Sequence, residues 1–198
     1  LLGRVQERIA DGRVLALIEA FLRQGVMEEM KDWQPTERGT PQGAVISPLL
    51  ANVYLHPLDH QMAQAGWEMT RYADDFIIQC RSQTEAQAAL ETVQQWVEAE
   101  GLQLHPTKTR IVDATQRGGF DFLGYHYERG YQWPRQKSQD KLKETIREKT
   151  SRTSGVSLDT LITGISRTLR GWHAYFGRSL RNELEKLDKM VRRRLRSI

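Results

Sequence analysis

Arg71-Tyr72-Ala73-Asp74-Asp75-Phe76-Ile77-Ile78 is the stretch on which the reading of this chain turns. Trp67 to Tyr72 predicts a short strand and Phe76 to Cys80 a second one, both rich in β-branched and aromatic residues. Asp74 and Asp75 fall between them, where a turn leaves both carboxylates at the tip. Adjacent carboxylates repel each other, so such a pair titrates unusually or holds a cation. Mg²⁺ suits it, as a hard ion that takes one or two carboxylates and completes its shell with water and phosphate oxygens. Aspartate is also a favoured turn residue, and the dipeptide alone does not separate the two readings.

The surrounding 198 residues amount to one large or two small domains, with 39% hydrophobic residues and no apolar run of membrane-spanning length. Leu1 is not a natural initiator, which predicts a piece of a longer protein. A single cysteine, Cys80, excludes a disulfide framework and a cysteine-based zinc site. The net charge of +4 hides an asymmetry. Residues 1–128 carry 11 Lys+Arg against 18 Asp+Glu, and residues 129–198 carry 18 against 7. An acidic front and a basic C-terminal third point to a cation-holding part joined to a polyanion-binding part; a solvated helical surface can also be basic.

Upstream of the acidic pair, Val5 to Ala10 and Arg13 to Gln24 predict two helices broken at Asp11-Gly12. The second carries Val14, Leu17, Ile18, Phe21 and Leu22 as a core stripe and stops at Gly25. Trp33 to Gly43 reads as a loop containing Gly39-Thr40-Pro41-Gln42-Gly43, whose glycines let backbone N–H groups approach a ligand, although such loops are often plain turns. Ser47-Pro48 predicts an N-cap with proline at the first helical position. The helix it opens carries Leu49, Leu50, Val53, Tyr54, Leu58 and Met62 on one face, bends near Pro57 and stops by Gly66.

Downstream, Ser82-Gln83-Thr84-Glu85 is a capping-box sequence. It opens a helix with Ala86, Leu90, Val93 and Val97 buried, closed by Gly101. Leu102-Gln103-Leu104 alternates like a strand and leads to Lys108, whose ammonium can reach a phosphate or simply face water. Phe120 to Tyr127 predicts a strand, Glu128-Arg129-Gly130 a turn and Tyr131 to Trp133 its return; the aromatics pack the core or stack on bases. Beyond Pro134 the pattern is helical and basic: a helix capped by Ser138 running to about Thr150, another capped by Ser157, and a last one from Leu180 to Leu195. Basic helices with interleaved aromatics fit binding to an RNA or DNA backbone. His173 has no second ligand-type residue spaced to join it.

Taken together, these blocks resemble the reverse transcriptases encoded by group II introns, the polymerase–maturase family. The blocks are Gly39 to Asn52 (GTPQGAVISPLLAN), Tyr72-Ala73-Asp74-Asp75, Gly101-Leu102-Gln103-Leu104 with Lys108-Thr109, Phe122-Leu123-Gly124, and Leu169-Arg170-Gly171-Trp172 with Tyr175-Phe176. They cover nearly the whole chain in the family's order. The resemblance implies an α+β fold: a polymerase palm, with an antiparallel sheet packed on helices, over residues 1–133, then an all-helical basic thumb or maturase-like region over 134–198. It implies RNA-directed DNA synthesis by two-metal nucleotidyl transfer onto a primer 3′-hydroxyl, with Mg²⁺ as the metal and Mn²⁺ as a substitute, together with assistance to splicing.

By the same resemblance, Asp74 and Asp75 are metal ligands and Lys108 assists the pyrophosphate. Pro41, Gln42, Gly43, Tyr72 and Ala73 border the nucleotide and template, and Leu123 and Gly124 form the primer grip. Arg167, Arg170, Trp172, Tyr175, Arg192, Arg193 and Arg194 contact nucleic acid. The implied partners are RNA template, DNA primer, deoxynucleoside triphosphates and intron RNA. No membrane is implied, and the location is cytoplasmic in a bacterium or organellar in a eukaryote. One departure stands out: the family's other metal-binding aspartate has no counterpart here, since Asp11, Asp32 and Asp59 do not follow the required strand. The expectation is therefore a fragment that binds nucleic acid and polymerises poorly or not at all alone. Two alternatives remain: a non-catalytic maturase-like RNA-binding splicing module, and a bacterial reverse transcriptase serving defence or CRISPR systems.

Overall fold

The computed structural model describes residues 1–23, 45–151 and 155–197, together with the backbone of residues 26–28 and 32–34. The fold is mixed α and β, with small antiparallel sheets and packed helices, as the sequence predicts. It divides into two compact units, Leu1–Thr109 and Arg110–Ile198.

The first unit begins with α1 (Leu2–Gln6) and α2 (Gly12–Arg23). The Asp11 carboxylate accepts from the amides of Arg13 at 2.8 Å and Val14 at 3.4 Å, which satisfies donors the helix start leaves free. Only part of the predicted α2 stripe is core. Ile18 is buried and Leu22 packs beside it, whereas Val14, Leu17 and Phe21 stay exposed. Next comes an antiparallel pair, β1 (Val26–Glu28) and β2 (Asp32–Gln34), where no strand was expected. The glycine-rich loop with Pro41, Gln42 and Gly43 lies outside the described residues, as does Gly25.

α3 (Ser47–Gln64) runs through Pro57 as one helix. Its N-cap is Ile46, so Ser47 is the first helical residue and not the cap. The helix ends where Gly66 takes φ +80° and the amide of Trp67 reaches back to the carbonyl of Met62 at 3.0 Å, a left-handed cap that needs glycine. β3 (Glu68–Tyr72) and β4 (Asp75–Gln79) form an antiparallel hairpin. α4 (Gln83–Ala99) follows with the predicted Ser82 cap, accepting from the Glu85 amide at 3.1 Å. The Glu85 carboxylate reaches back to the amide of Arg81 and not to that of Ser82. Leu58, Met62, Ala89, Val93, Trp96 and Val97 are the core between α3 and α4, and Met69, Phe76 and Ile78 of the hairpin pack on it. Arg4 ties α1 to this core by donating to the Tyr54 carbonyl and the Glu100 carboxylate and lying over the Tyr54 ring. Leu102-Gln103-Leu104 forms no strand: it has no ladder partner among the described residues, and Leu104 packs on the core as an irregular segment.

The second unit opens with a three-stranded meander, β5 (Phe120–Phe122), β6 (Tyr125–Glu128) and β7 (Tyr131–Pro134). The single strand predicted over Phe120–Tyr127 is in fact a hairpin. Leu123 and Gly124 take φ +48° and +84°, the paired positive angles of a two-residue turn whose twist matches that of antiparallel strands. Arg129 and Gly130 repeat the device at +55° and +78°. α5 (Gln136–Lys149), α6 (Leu158–Phe176) and α7 (Arg181–Arg196) bury Leu142, Ile146, Leu161, Ile165, Leu187 and Val191 against one another. Ser157 caps α6 as predicted, accepting from the amide of Thr160 at 3.3 Å. Ser138 does not cap α5, which Arg135 precedes; its hydroxyl instead donates to the carbonyl of Gly124 at 3.0 Å.

Ile146 is wholly buried at the centre of the three-helix core. Ile146→Ala is expected to destabilise this unit by about 2–5 kcal/mol, read as a lower urea midpoint for the loss of helical circular dichroism.

Candidate functional site

The register of the β3–β4 hairpin sets the geometry of the acidic pair. Tyr72 lies opposite Asp75, so the connection is only Ala73 and Asp74. Asp75 is thus the first residue of β4 and only Asp74 lies in the turn, a shift of one from the expected tip. Both aspartates are exposed, and among the described residues neither carboxylate has an ion pair or hydrogen bond. Alternation sends Met69, Arg71, Phe76 and Ile78 toward the α3–α4 core and leaves Tyr72 and Asp75 on the open face. Tyr72 is 67% exposed. The site is therefore a solvent-facing carboxylate pair flanked by an aromatic ring.

The turn is strained. Ala73 sits at φ +55°, in the left-handed region, which costs an L-residue roughly 1–2 kcal/mol. Beneath it lies a group that no sequence motif marks. The Arg71 guanidinium donates through Nε and one terminal nitrogen to both carboxylate oxygens of Asp59. The other terminal nitrogen donates to Asn52 Oδ1 at 2.9 Å and to the carbonyl of Ala73 at 2.7 Å. Only 11% of this side chain is exposed. A signal was available: arginine occupies a core-facing position on an alternating strand, where a buried charge requires partners.

Lys108 is exposed on the irregular segment after α4. On α3, the exposed His56 and His60 stand one turn apart with their Nε2 atoms 2.9 Å apart. No group of three or more His, Cys, Asp or Glu side chains is arranged to hold a metal among the described residues. Two exposed carboxylates fit a hard cation that draws its remaining ligands from water and phosphate.

In the second unit the Leu123–Gly124 turn is gripped from several sides. The Tyr175 hydroxyl donates to the Leu123 carbonyl at 2.7 Å, and the Arg135 amide donates to the Gly124 carbonyl at 2.9 Å. The Tyr125 hydroxyl donates to the Tyr175 carbonyl, and the rings of Tyr125, Tyr175 and Phe176 pack together. Burial pushes the Tyr125 hydroxyl above its ordinary pKa, so it remains a donor. Trp172 is half-buried against Phe176, while Arg167 and Arg170 are exposed on α6. On α7, Arg192 pairs with Asp188 and Arg193 is exposed. Arg194 is half-buried, with its guanidinium donating to the Thr150 hydroxyl and carbonyl at the end of α5.

An open acidic hairpin in one unit and a basic helical surface in the other define a nucleic-acid-handling protein with a candidate cation site. Residues 4–127 match the reverse transcriptase (RNA-dependent DNA polymerase) family, and residues 139–198 match the group II intron maturase-specific domain. The first match spans more than half of the chain, which belongs to the reverse transcriptase family, of the group II intron-encoded type with a maturase region. The group II intron-encoded protein LtrA of Lactococcus lactis subsp. cremoris is 40% identical over 79 residues, which are 39% of this chain and 13% of that protein. The retron Mx162 reverse transcriptase of Myxococcus xanthus is 38% identical over 88 residues, 37% of this chain and 18% of that protein. Protein YkfC of Escherichia coli K12 is 27% identical over 160 residues, 63% of this chain and 41% of that protein. The chain thus corresponds to a minor part of each relative's length. Family membership implies a metal-dependent polymerase site and binding to nucleic acid. No helix among the described residues is long and apolar enough to cross a membrane.

Because the Tyr125 hydroxyl is buried on the carbonyl of Tyr175, Tyr125→Phe leaves that acceptor unpaired. It is expected to lower stability by roughly 0.5–1.5 kcal/mol, measured by thermal unfolding.

Proposed function

We propose that this chain forms the palm and thumb of an RNA-directed DNA polymerase that also binds intron RNA to assist its splicing. Residues 1–133 supply the palm part and residues 134–198 the basic thumb and maturase part. The observation that carries the reading is the exposed Asp74–Asp75 pair on a two-residue turn, neither carboxylate having an ion pair or hydrogen bond among the described residues. Two neighbouring anions repel each other, and a bound cation relieves that repulsion.

In this reading Asp74 and Asp75 hold Mg²⁺, which when bound activates the primer 3′-hydroxyl and stabilises the departing pyrophosphate. Lys108 adds positive charge where the pyrophosphate leaves. Tyr72 and Ala73 border the nascent base pair, the exposed Tyr72 ring offering an apolar face. Pro41, Gln42 and Gly43 take the incoming nucleotide and template side. Leu123 and Gly124 hold the primer end, and the grip of Tyr175 on their turn supports that role. Arg167, Arg170, Arg192 and Arg193 neutralise phosphates of the template–primer and of intron RNA, while Trp172, Tyr175 and Arg194 shape the surface they act from. Deoxynucleoside triphosphates are the substrates.

The test is primer extension on poly(rA)/oligo(dT) with Mg²⁺, using the chain as it stands and joined to an upstream reverse transcriptase segment. The joined protein is expected to extend the primer, and Asp74→Ala is expected to abolish extension while RNA binding persists. RNA binding with no extension in either form would replace this reading with that of a non-catalytic splicing module.

A further inference from the structure

Arg71 makes more contacts than an ion pair on a strand requires. Four of its five N–H donors are engaged, two on Asp59, one on Asn52 and one on the Ala73 carbonyl. Asp59 and Asn52 lie on α3, a helix anchored in the core through Leu58 and Met62, which are at most 1% exposed. Ala73 is the strained residue of the turn and the immediate neighbour of Asp74. The guanidinium therefore connects a rigid helix to the peptide that joins the strained Ala73 to Asp74. Its planar fork is suited to this, because a lysine cannot hold a carboxylate in two places and a carbonyl in a third.

We propose that Arg71, buttressed by Asp59 and Asn52, is the positioning residue of the carboxylate pair, holding the Ala73 carbonyl so that Asp74 and Asp75 present a preformed cation site. It touches neither cation nor substrate and acts through the turn. This inference rests on the polymerase reading for the purpose of the site, but the clamp itself is a statement about the turn. The strain gives it a distinctive signature. An alanine at φ +55° needs the clamp, whereas a glycine adopts that angle freely. A merely structural Arg71, tying β3 to α3, would be indifferent to the residue at position 73.

The experiment follows the backbone amide resonances of Asp74 and Asp75 in the purified chain, with a Mg²⁺ titration and a thermal melt. The variants are Arg71→Lys and Arg71→Gln, each alone and combined with Ala73→Gly. Arg71→Lys is expected to shift both amides and to raise the half-saturating Mg²⁺ concentration by about tenfold or more, as loss of a supporting hydrogen-bond partner does at metal sites. Adding Ala73→Gly is expected to restore most of that loss, a coupling that independent sites do not show. Arg71→Lys carries the test if Arg71→Gln does not fold. Unmoved amides in Arg71→Lys, or an effect that Ala73→Gly leaves unchanged, would overturn the proposal. If the unmodified chain shows no Mg²⁺ response at these amides, the polymerase reading fails, and the amide shifts and their rescue still decide the clamp.

Discussion

Two residues joining two antiparallel strands leave almost no conformational choice, and the site in this chain is built on that constraint. With Tyr72 opposite Asp75, the ladder fixes both ends of the connection. Strand twist requires a turn with positive φ at its first residue, although that residue is alanine. The neighbouring carboxylates then face outward, while the alternating positions behind them are drawn onto the α3–α4 core. A two-stranded ribbon is marginal alone; here Met69, Phe76 and Ile78 seat it on Leu58, Met62 and Val93. Hydrophobic burial supplies the bed, and the polar network of Arg71, Asp59 and Asn52 supplies the orientation.

Much of this was legible in the sequence, because the relevant signals are local. Both strands of the acidic hairpin, the Ser82 and Ser157 caps, and the helical C-terminal region follow from alternation, capping chemistry and periodicity. What was not legible depends on pairing at a distance. Leu102 to Leu104 alternates like a strand but has no partner strand among the described residues, and alternation cannot report that lack. Phe120 to Tyr127 looks continuous because a Leu-Gly pair is an unusual two-residue turn, stabilised here by Tyr175 from α6. Ser138 resembles a cap but answers the Gly124 carbonyl instead. Asp59 reads in the sequence only as a candidate catalytic acid, because its partner Arg71 lies twelve residues on, across a helix end and a turn.

The charge asymmetry acquires a structural meaning once the ion pairs are seen. Several basic residues of the second unit are balanced within one helix turn, as Arg181 is by Glu185 and Arg192 by Asp188. Such exposed pairs contribute little to stability, and they leave the guanidinium groups able to exchange a carboxylate for a phosphate. Arg194 differs, since it closes the end of α5 through Thr150 and holds the helical core together. The family match divides in the same way: the acidic hairpin falls in the polymerase portion and the basic helices in the maturase portion.

Paramagnetic Mn²⁺ is the most direct probe of the cation site proposed at Asp74 and Asp75. At substoichiometric Mn²⁺, amide resonances are expected to broaden first around Ala73 to Phe76, and Asp74→Ala is expected to remove this effect. Broadening centred on the His56–His60 pair, or unchanged by Asp74→Ala, would contradict the proposed site.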